Sequence, residues 1–366
     1  TKYFRYDNNG NLLYGTDGNG NITEYTYDAK NRLIFIDSGG KTTTYTYDAN
    51  DNQLTVTDWL GNTRTNVYDA LNRLIEKRDT YDRAQETYFY DDSGRQIAAQ
   101  DVYGRQTTYA YDRNNRLILT TAPDGYLIER EYDQRGNVIR QTNALGQSTH
   151  YAYDYLNRLV SVTNAVGEVT SYTYDLKGNL LSQTDAGNNT TLFEYNSRDL
   201  LIRRINPGGR TGEPGAYTYD PTAVIFYTYD ALGRIATRTD RNGQITVFEY
   251  DIHGNLLRQA IGTEEITYTY DNNGNALTMT DALGTTTRTY DAWNRCTSKT
   301  VPIIGTSTYT YDITAGLPAG HVAETTTDPK GNITLREYDR AGRLVRVTDT
   351  QIDGTVHTVH YTYNDN

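Results

Sequence analysis

Apolar and polar residues alternate in short runs along this chain, and each run stops at Asp, Asn or Gly. In Thr23-Glu24-Tyr25-Thr26-Tyr27-Asp28 a period of two puts Thr23, Tyr25 and Tyr27 on one face of a strand and Glu24, Thr26 and Asp28 on the other. A second alternating run follows a turn, as in Arg32-Leu33-Ile34-Phe35-Ile36-Asp37. A third feature, such as Asp58-Trp59-Leu60-Gly61-Asn62, sends the chain back toward the next unit. Residues 170–187 contain all of these parts, and the remainder of the chain repeats them. A Tyr followed by Asp or Asn recurs in phase, and from Tyr90 to Tyr195 each step is 21 residues. So regular a period is the mark of a repeat architecture.

Both connections have turn chemistry. Asn9-Gly10, Asn19-Gly20, Asn242-Gly243 and Asn273-Gly274 supply residues that tolerate positive φ. Gly136, Gly146, Gly167, Gly178 and Gly187 fall at matching positions, and Asn31, Asn72, Asn115 and Asn157 stand in where Gly is missing. Each repeat therefore reads as a β-hairpin, and the chain as a continuous antiparallel meander. About 17 hairpins give roughly 34 strands, and open sheets rarely exceed ~10 strands without curling. The predicted fold is all-β: antiparallel hairpins of period about 21, coiled into a spiral hollow β-shell or tube. A propeller needs four strands per blade and apolar residues on both faces of its inner strands. Here one face is largely Thr, Glu, Arg and Asp.

Two stretches break the period, near 197–228 and 301–324. Both are dense in Pro and Gly, which interior strands exclude. They read as long hairpin loops within a single array spanning 1–366. The chain begins at Thr1 and stops at Asn366 inside repeats, which reads as a segment of a longer protein.

Composition sharpens this picture. The 35 Tyr outnumber the 6 Phe and 2 Trp, so the aromatic content is amphipathic. The net charge is −11 and the 35 Lys and Arg are scattered, which disfavours a surface tracking nucleic-acid phosphates. The single cysteine, Cys296, leaves no intrachain disulfide. No apolar run approaches the ~18 residues of a membrane-spanning helix.

The pattern Tyr-x-Tyr-Asp-x-x-(Gly/Asn)-(Arg/Asn)-Leu, followed by Thr-Asp-x-x-Gly-x-x-Thr, resembles the YD repeat of Rhs proteins. Clear instances are residues 109–117, 151–159 and 172–180. Toxin-complex B and C subunits and teneurins are similar. The resemblance implies a hollow shell that, in bacterial members, encloses a variable C-terminal toxin. It also implies secretion or surface display and a link to carbohydrate binding. The closing segment of bacterial shells is rich in Asp-Pro-x-Gly-Leu and carries autoproteolytic aspartates. Only Asp328-Pro329-Lys330-Gly331 approaches it, and that reads as a repeat turn. Cleavage and toxicity are therefore not expected of these residues.

Candidate chemistry is sparse. Asp7-Asn8-Asn9-Gly10-Asn11 and Asp271-Asn272-Asn273-Gly274-Asn275 suggest calcium, but they lack the Gly at the sixth position and the Glu at the twelfth that a helix–loop–helix calcium loop needs. His357 and His360 lie three apart, on opposite faces of a strand. His150, His253 and His321 are isolated, and Cys296 reads as a small buried hydrophobe. The repeated pairs Tyr27, Asp28; Tyr47, Asp48; Tyr111, Asp112; Tyr153, Asp154; Tyr174, Asp175; Tyr250, Asp251; and Tyr270, Asp271 read as a structural signature. Exposed copies could contact sugars. No catalytic residue, cofactor or metal ligand is assigned. The expected role is a non-catalytic wall enclosing or carrying a C-terminal toxin or other cargo, secreted or on the cell surface. The alternative is an extracellular adhesin or filament wall, with self-association through open sheet edges and possible glycan partners.

Overall fold

The computed structural model describes residues 2–212 and 217–363. Among them are 35 β-strands, one three-residue 3-10 turn and no α-helix. The chain divides into two compact units, one made of Thr1–Arg105 with Thr267–Asn366 and the other of Gln106–Ile266.

The second unit shows the regular repeat. Strand β17 (Val169–Tyr174) pairs antiparallel with β18 (Leu180–Thr184) through Ser171↔Thr184, Tyr172↔Gln183 and Thr173↔Ser182. The register then shifts, and Tyr174 faces Leu180 across a β-bulge. A bulge strengthens the local twist and bends the strand. The same shift precedes Tyr132, Tyr153, Tyr195, Tyr229 and Tyr250. The signature Asp lies just past its strand, at the first position of the turn, rather than on the opposite strand face as expected from alternation. Gly136, Gly146, Gly167 and Gly178 do take positive φ, but in the turn at 185–188 Asn188 (φ 59°) does so in place of Gly187.

The first interruption is narrower than its sequence suggests. Strand β20 (Leu201–Ile205) pairs directly with β23 (Val224–Tyr229). Between them sit a two-residue ladder, β21 (Arg210–Thr211) with β22 (Thr218–Tyr219), and the 3-10 turn Pro221–Ala223. Ile205 and Val224 beneath this insertion are fully buried.

The other unit repeats this architecture in two segments. The second interruption is not a loop throughout. Strand β30 (Cys296–Val301) turns through residues 302–304 into β31 (Gly305–Ile313), a nine-residue strand. Its Thr306-Ser307-Thr308-Tyr309-Thr310 alternation is that of any first strand, so Pro302 and Gly305 bracket a tight turn. Irregular chain is confined to 314–321, before β32 (Val322–Thr327). On one face, threonines line up across strands as Thr269↔Thr278, Thr278↔Thr287, Thr287↔Thr300 and Thr300↔Thr306. Hydroxyl pairs such as Thr269–Thr278 (2.6 Å) and Thr300–Thr306 (2.8 Å) join them, the cross-strand pairing that stabilises sheets. On the other face the Tyr rings are half-buried.

Candidate functional site

The signature is best understood as one hydrogen-bonded device. Asp154 Oδ1 accepts the backbone N–H groups of Leu156 (2.8 Å) and Arg158 (3.0 Å), and Oδ2 accepts Arg158 Nε (2.7 Å). An Asp followed four residues later by Arg or Asn thus closes the turn with both carboxylate oxygens. Asp28, Asp48, Asp112, Asp175, Asp251 and Asp271 do the same with Arg32, Asn52, Arg116, Asn179, Asn255 and Asn275. The backbone N–H and guanidinium of Arg32 hold the Asp28 carboxyl below the usual range, and the Asn179 amide does so for Asp175.

The Tyr reaches back one repeat. The β16 (Leu159–Thr163) to β17 ladder runs no further than Ser161↔Ser171, so it stops short of the Leu159 carbonyl. Tyr174 fills that place by donating its hydroxyl to Leu159 O at 2.8 Å. Tyr47, Tyr90, Tyr132 and Tyr229 donate likewise to Leu33, Leu74, Leu117 and Leu201 at 2.6–2.8 Å. Burial pushes the Tyr47, Tyr153 and Tyr174 phenols above their usual range. Tyr250 lies 4.8 Å beneath the Arg234 guanidinium, and Tyr270 stacks on Tyr268 at 6.4 Å.

The residue that sequence reading missed is the one four after each Asp. Arg158 sits 4.9 Å from the Tyr174 ring and donates Nη1 to Asp175 O at 2.6 Å, tying one repeat to the next. Arg116 and Arg234 do the same to Asp133 O and Asp251 O. In each case the next turn carries a Gly: Gly136, Gly178 or Gly254. In three repeats with Asn in place of Arg, the next turn carries Asn instead. Asn11, Asn52 and Asn137 donate to the Oδ1 atoms of Asn31, Asn72 and Asn157 at 2.8, 2.9 and 3.0 Å. A short side chain needs an acceptor that comes to meet it; a long one reaches the backbone. The recurrence Asp-x-x-x-(Arg/Asn) was the available signal.

In the unit of residues 1–105 with 267–366, one rim of the first segment lies against one rim of the second. The first segment contributes return turns, those leading into the next repeat. The second contributes signature turns, those following Tyr-Asp. Asn19 Nδ2 donates to Asp271 (2.9 Å) and Asn273 Nδ2 to Asp17 (2.7 Å). Trp293 Nε1 donates to Ser38 O (3.1 Å), and Asn62 Nδ2 to Gly320 O (3.0 Å). These partners are 252 to 258 residues apart. Gly18 is needed for the approach, because a Cβ there would lie 2.0 Å from Asn272 O. Lys41 Nζ sits 5.2 Å from the Trp59 ring and 4.0 Å from the Trp293 ring, bonded to Asp312 at 2.6 Å. The chain's two tryptophans thus share one cavity of about 470 Å³, and Lys41 occupies the space between them.

Asp7 spends both oxygens on its turn, Asp271 closes its turn and also accepts Asn19, and among the described residues no three His, Cys, Asp or Glu side chains gather as metal ligands. His357 and His360 lie on β35 (Val356–His360) opposite Asp349 and Arg346. Cys296 is half-buried rather than buried, with Sγ 3.2 Å from Ser298 O. Asp328 closes a return turn onto Asn332. In the second unit, Glu194 is held by Arg203 (2.9 Å), Arg210 (3.3 Å) and Tyr219 (2.8 Å), which pins the insertion to the sheet.

Against known proteins, the profile of the RHS Repeat family matches residues 35–63, 90–127, 132–169, 153–190, 174–211, 229–263, 270–302 and 317–351, more than half of the chain. No curated protein sequence matches it significantly. Among solved structures, the Photorhabdus luminescens Tc holotoxin pore with a TccC3 variant matches with TM-score 0.61 and 15% identity, over 98% of this chain and 22% of that one. The TcdB2–TccC3 complex matches with TM-score 0.54 and 15% identity, over 100% of this chain and 24% of that one. The same complex without its hypervariable C-terminal region gives TM-score 0.54 at 14% identity, over 98% and 24%. At these identities the likeness is one of fold, and the chain spans about a quarter of those proteins.

Proposed function

Because the chain belongs to the RHS repeat family, we propose that it is a length of shell wall whose work is to enclose or carry another polypeptide, a C-terminal toxin or effector of the full-length protein. The observation that carries this reading is the shortage of core. Among the described residues only Ala98, Ile205, Val224, Ile225, Ala260 and Ala323 are buried apolar residues. A sheet of 33 strands with so little packed against either face reads as a single-layer wall, stabilised along its own plane. The return of the chain against itself after about 255 residues supports a coiled ribbon. The fold shared with the TcdB2–TccC3 complex, which has a hypervariable C-terminal region, supports a cargo of that kind. The role is non-catalytic and the setting extracellular, by secretion or surface display. No helix among the described residues is long and apolar enough to cross a membrane.

Protease protection of the gene's complete product tests this. The segment following the repeats should be cut only after the wall is unfolded by denaturant. If it is cut in the native protein as fast as when it is free, the enclosing role is wrong.

A further inference from the structure

We infer that the face carrying the Tyr rings, where the ends of the insertion at 206–223 border it, is a docking site for an acidic, extended stretch of the enclosed polypeptide. The inference rests on the wall reading above and gives the cargo a chemistry. It comes from a difference in charge between the two faces of the second unit. From β11 (Gln106–Tyr111) to β26 (Leu256–Ile261), the large sheet has three arginines on the face away from the Tyr rings, and each is paired. Arg140 meets Glu131 at 2.6 Å, Arg203 meets Glu194 at 2.9 Å and Arg258 meets Glu249 at 2.8 Å. The Tyr face of the same strands also has three arginines. Arg130 alternates in phase with Tyr132 on β13 (Leu127–Tyr132), Arg204 lies opposite Phe193, and Arg238 lies opposite Tyr227. That face has no Asp or Glu at any strand position.

Arg204 and Arg238 are exposed and, among the described residues, have neither a hydrogen bond nor an ion pair. Each lies in a hollow bordered by one end of the insertion. Arg204 shares about 360 Å³ with Gln183, Phe193 and Pro207, and Arg238 shares about 850 Å³ with Arg241, Pro221 and Thr222. Ile225 faces Arg204 across the ladder and lines the second hollow, so the two hollows adjoin. The acids at their borders are engaged in turns: Asp185 accepts the N–H groups of Gly187 and Asn189, and Asp240 those of Asn242 and Gln244. The two arginines rise from β20 and β24 (Ile235–Thr239), two strands apart and so about 10 Å at the backbone. That spacing suits two carboxylates on one extended chain, whose same-side residues recur every ~6.7 Å. Guanidinium–carboxylate bonds are charge-assisted, and the rings of Phe193 and Tyr227 offer the chain an apolar floor. A nucleic acid suits the site less well, because a polyphosphate needs a continuous basic stripe and the chain's net charge is −11.

Fluorescence anisotropy of a labelled peptide of alternating Glu and Ser, titrated with the chain, tests the proposal. A peptide with Gln in place of Glu is the control. The acidic peptide should bind and the uncharged one should not. Arg204→Gln combined with Arg238→Gln should weaken binding about tenfold or more. Arg204→Lys with Arg238→Lys keeps the charge and should give an intermediate affinity. Arg140→Gln, on the opposite face, should leave binding unchanged. No binding of the acidic peptide, an equal loss with Arg140→Gln, or equal affinity for a single-stranded oligonucleotide overturns the proposal. The probe is a free peptide, so such a failure removes the acidic docking site alone. A downstream segment freely cut in the native protein removes instead the wall reading on which it rests.

Discussion

The hydroxyl of the signature Tyr can be tested at Tyr174, with Tyr172 as its control. The two are neighbours on one face of β17, and both are half-buried. Of the two, only Tyr174 has a hydroxyl partner, the Leu159 carbonyl at 2.8 Å; the Tyr172 hydroxyl donates no hydrogen bond to the described residues. Tyr174→Phe keeps the ring and its place beneath Arg158, removing one neutral hydrogen bond in a partly buried site. It leaves behind a carbonyl that the β16–β17 ladder does not satisfy. Such a bond contributes about 0.5–1.5 kcal/mol net, toward the upper end when its partner is stranded. Tyr172→Phe should cost within about 0.5 kcal/mol of nothing. Urea unfolding followed by far-ultraviolet circular dichroism measures both, comparing midpoints at constant slope. Because repeat arrays unfold through neighbours, hydrogen exchange should show the loss concentrated at β16 to β18. Equal costs for the two substitutions, or no cost for Tyr174→Phe, would refute the view that the Tyr is selected for its hydroxyl.

Other outcomes follow from the same geometry. Arg158→Asn should destabilise by removing the link to Asp175 O, and adding Gly178→Asn should recover part of the loss by rebuilding the Asn137–Asn157 arrangement. A double-mutant cycle with coupling near zero would contradict this. Gly18→Ala should cost about 1–3 kcal/mol through overpacking against Asn272 O, visible as a lowered melting temperature. For pH, the signature carboxyls titrate below their unfolded values, so their stabilisation is complete above about pH 4. It is lost as pH falls through the lower folded values, as for Asp28 and Asp175. The Tyr47 and Tyr174 phenols are shifted upward by burial, so their contribution holds below about pH 10 and is lost above it. Thermal melts across the pH range should therefore show a broad plateau with falls at both ends. A maximum in acid would count against this.

Much of the fold is legible in the sequence because it is written at short range. Strand alternation, the Asp at each turn and the Gly or Asn at positive φ all act within one hairpin, and the structure has strands where they predict them. Turn chemistry is less fixed than it looks, since Asn188 displaces Gly187. The break at 301–324 misleads because Pro302 and Gly305 signal irregular chain, whereas the strand after them is the longest here. What escapes a linear reading is contact between repeats. Arg158 meets the Tyr174 ring only because a bulge and a turn bring one hairpin's end over the next. Trp59 and Trp293 share a cavity although nothing local to either points to the other.

We propose that these repeats make a wall around a space rather than a solid body. Electron cryo-microscopy of the chain in solution tests this most directly. A curved layer one sheet thick, bordering an interior without protein density, is the expected result; a filled, compact particle with sheet packed on sheet would contradict it.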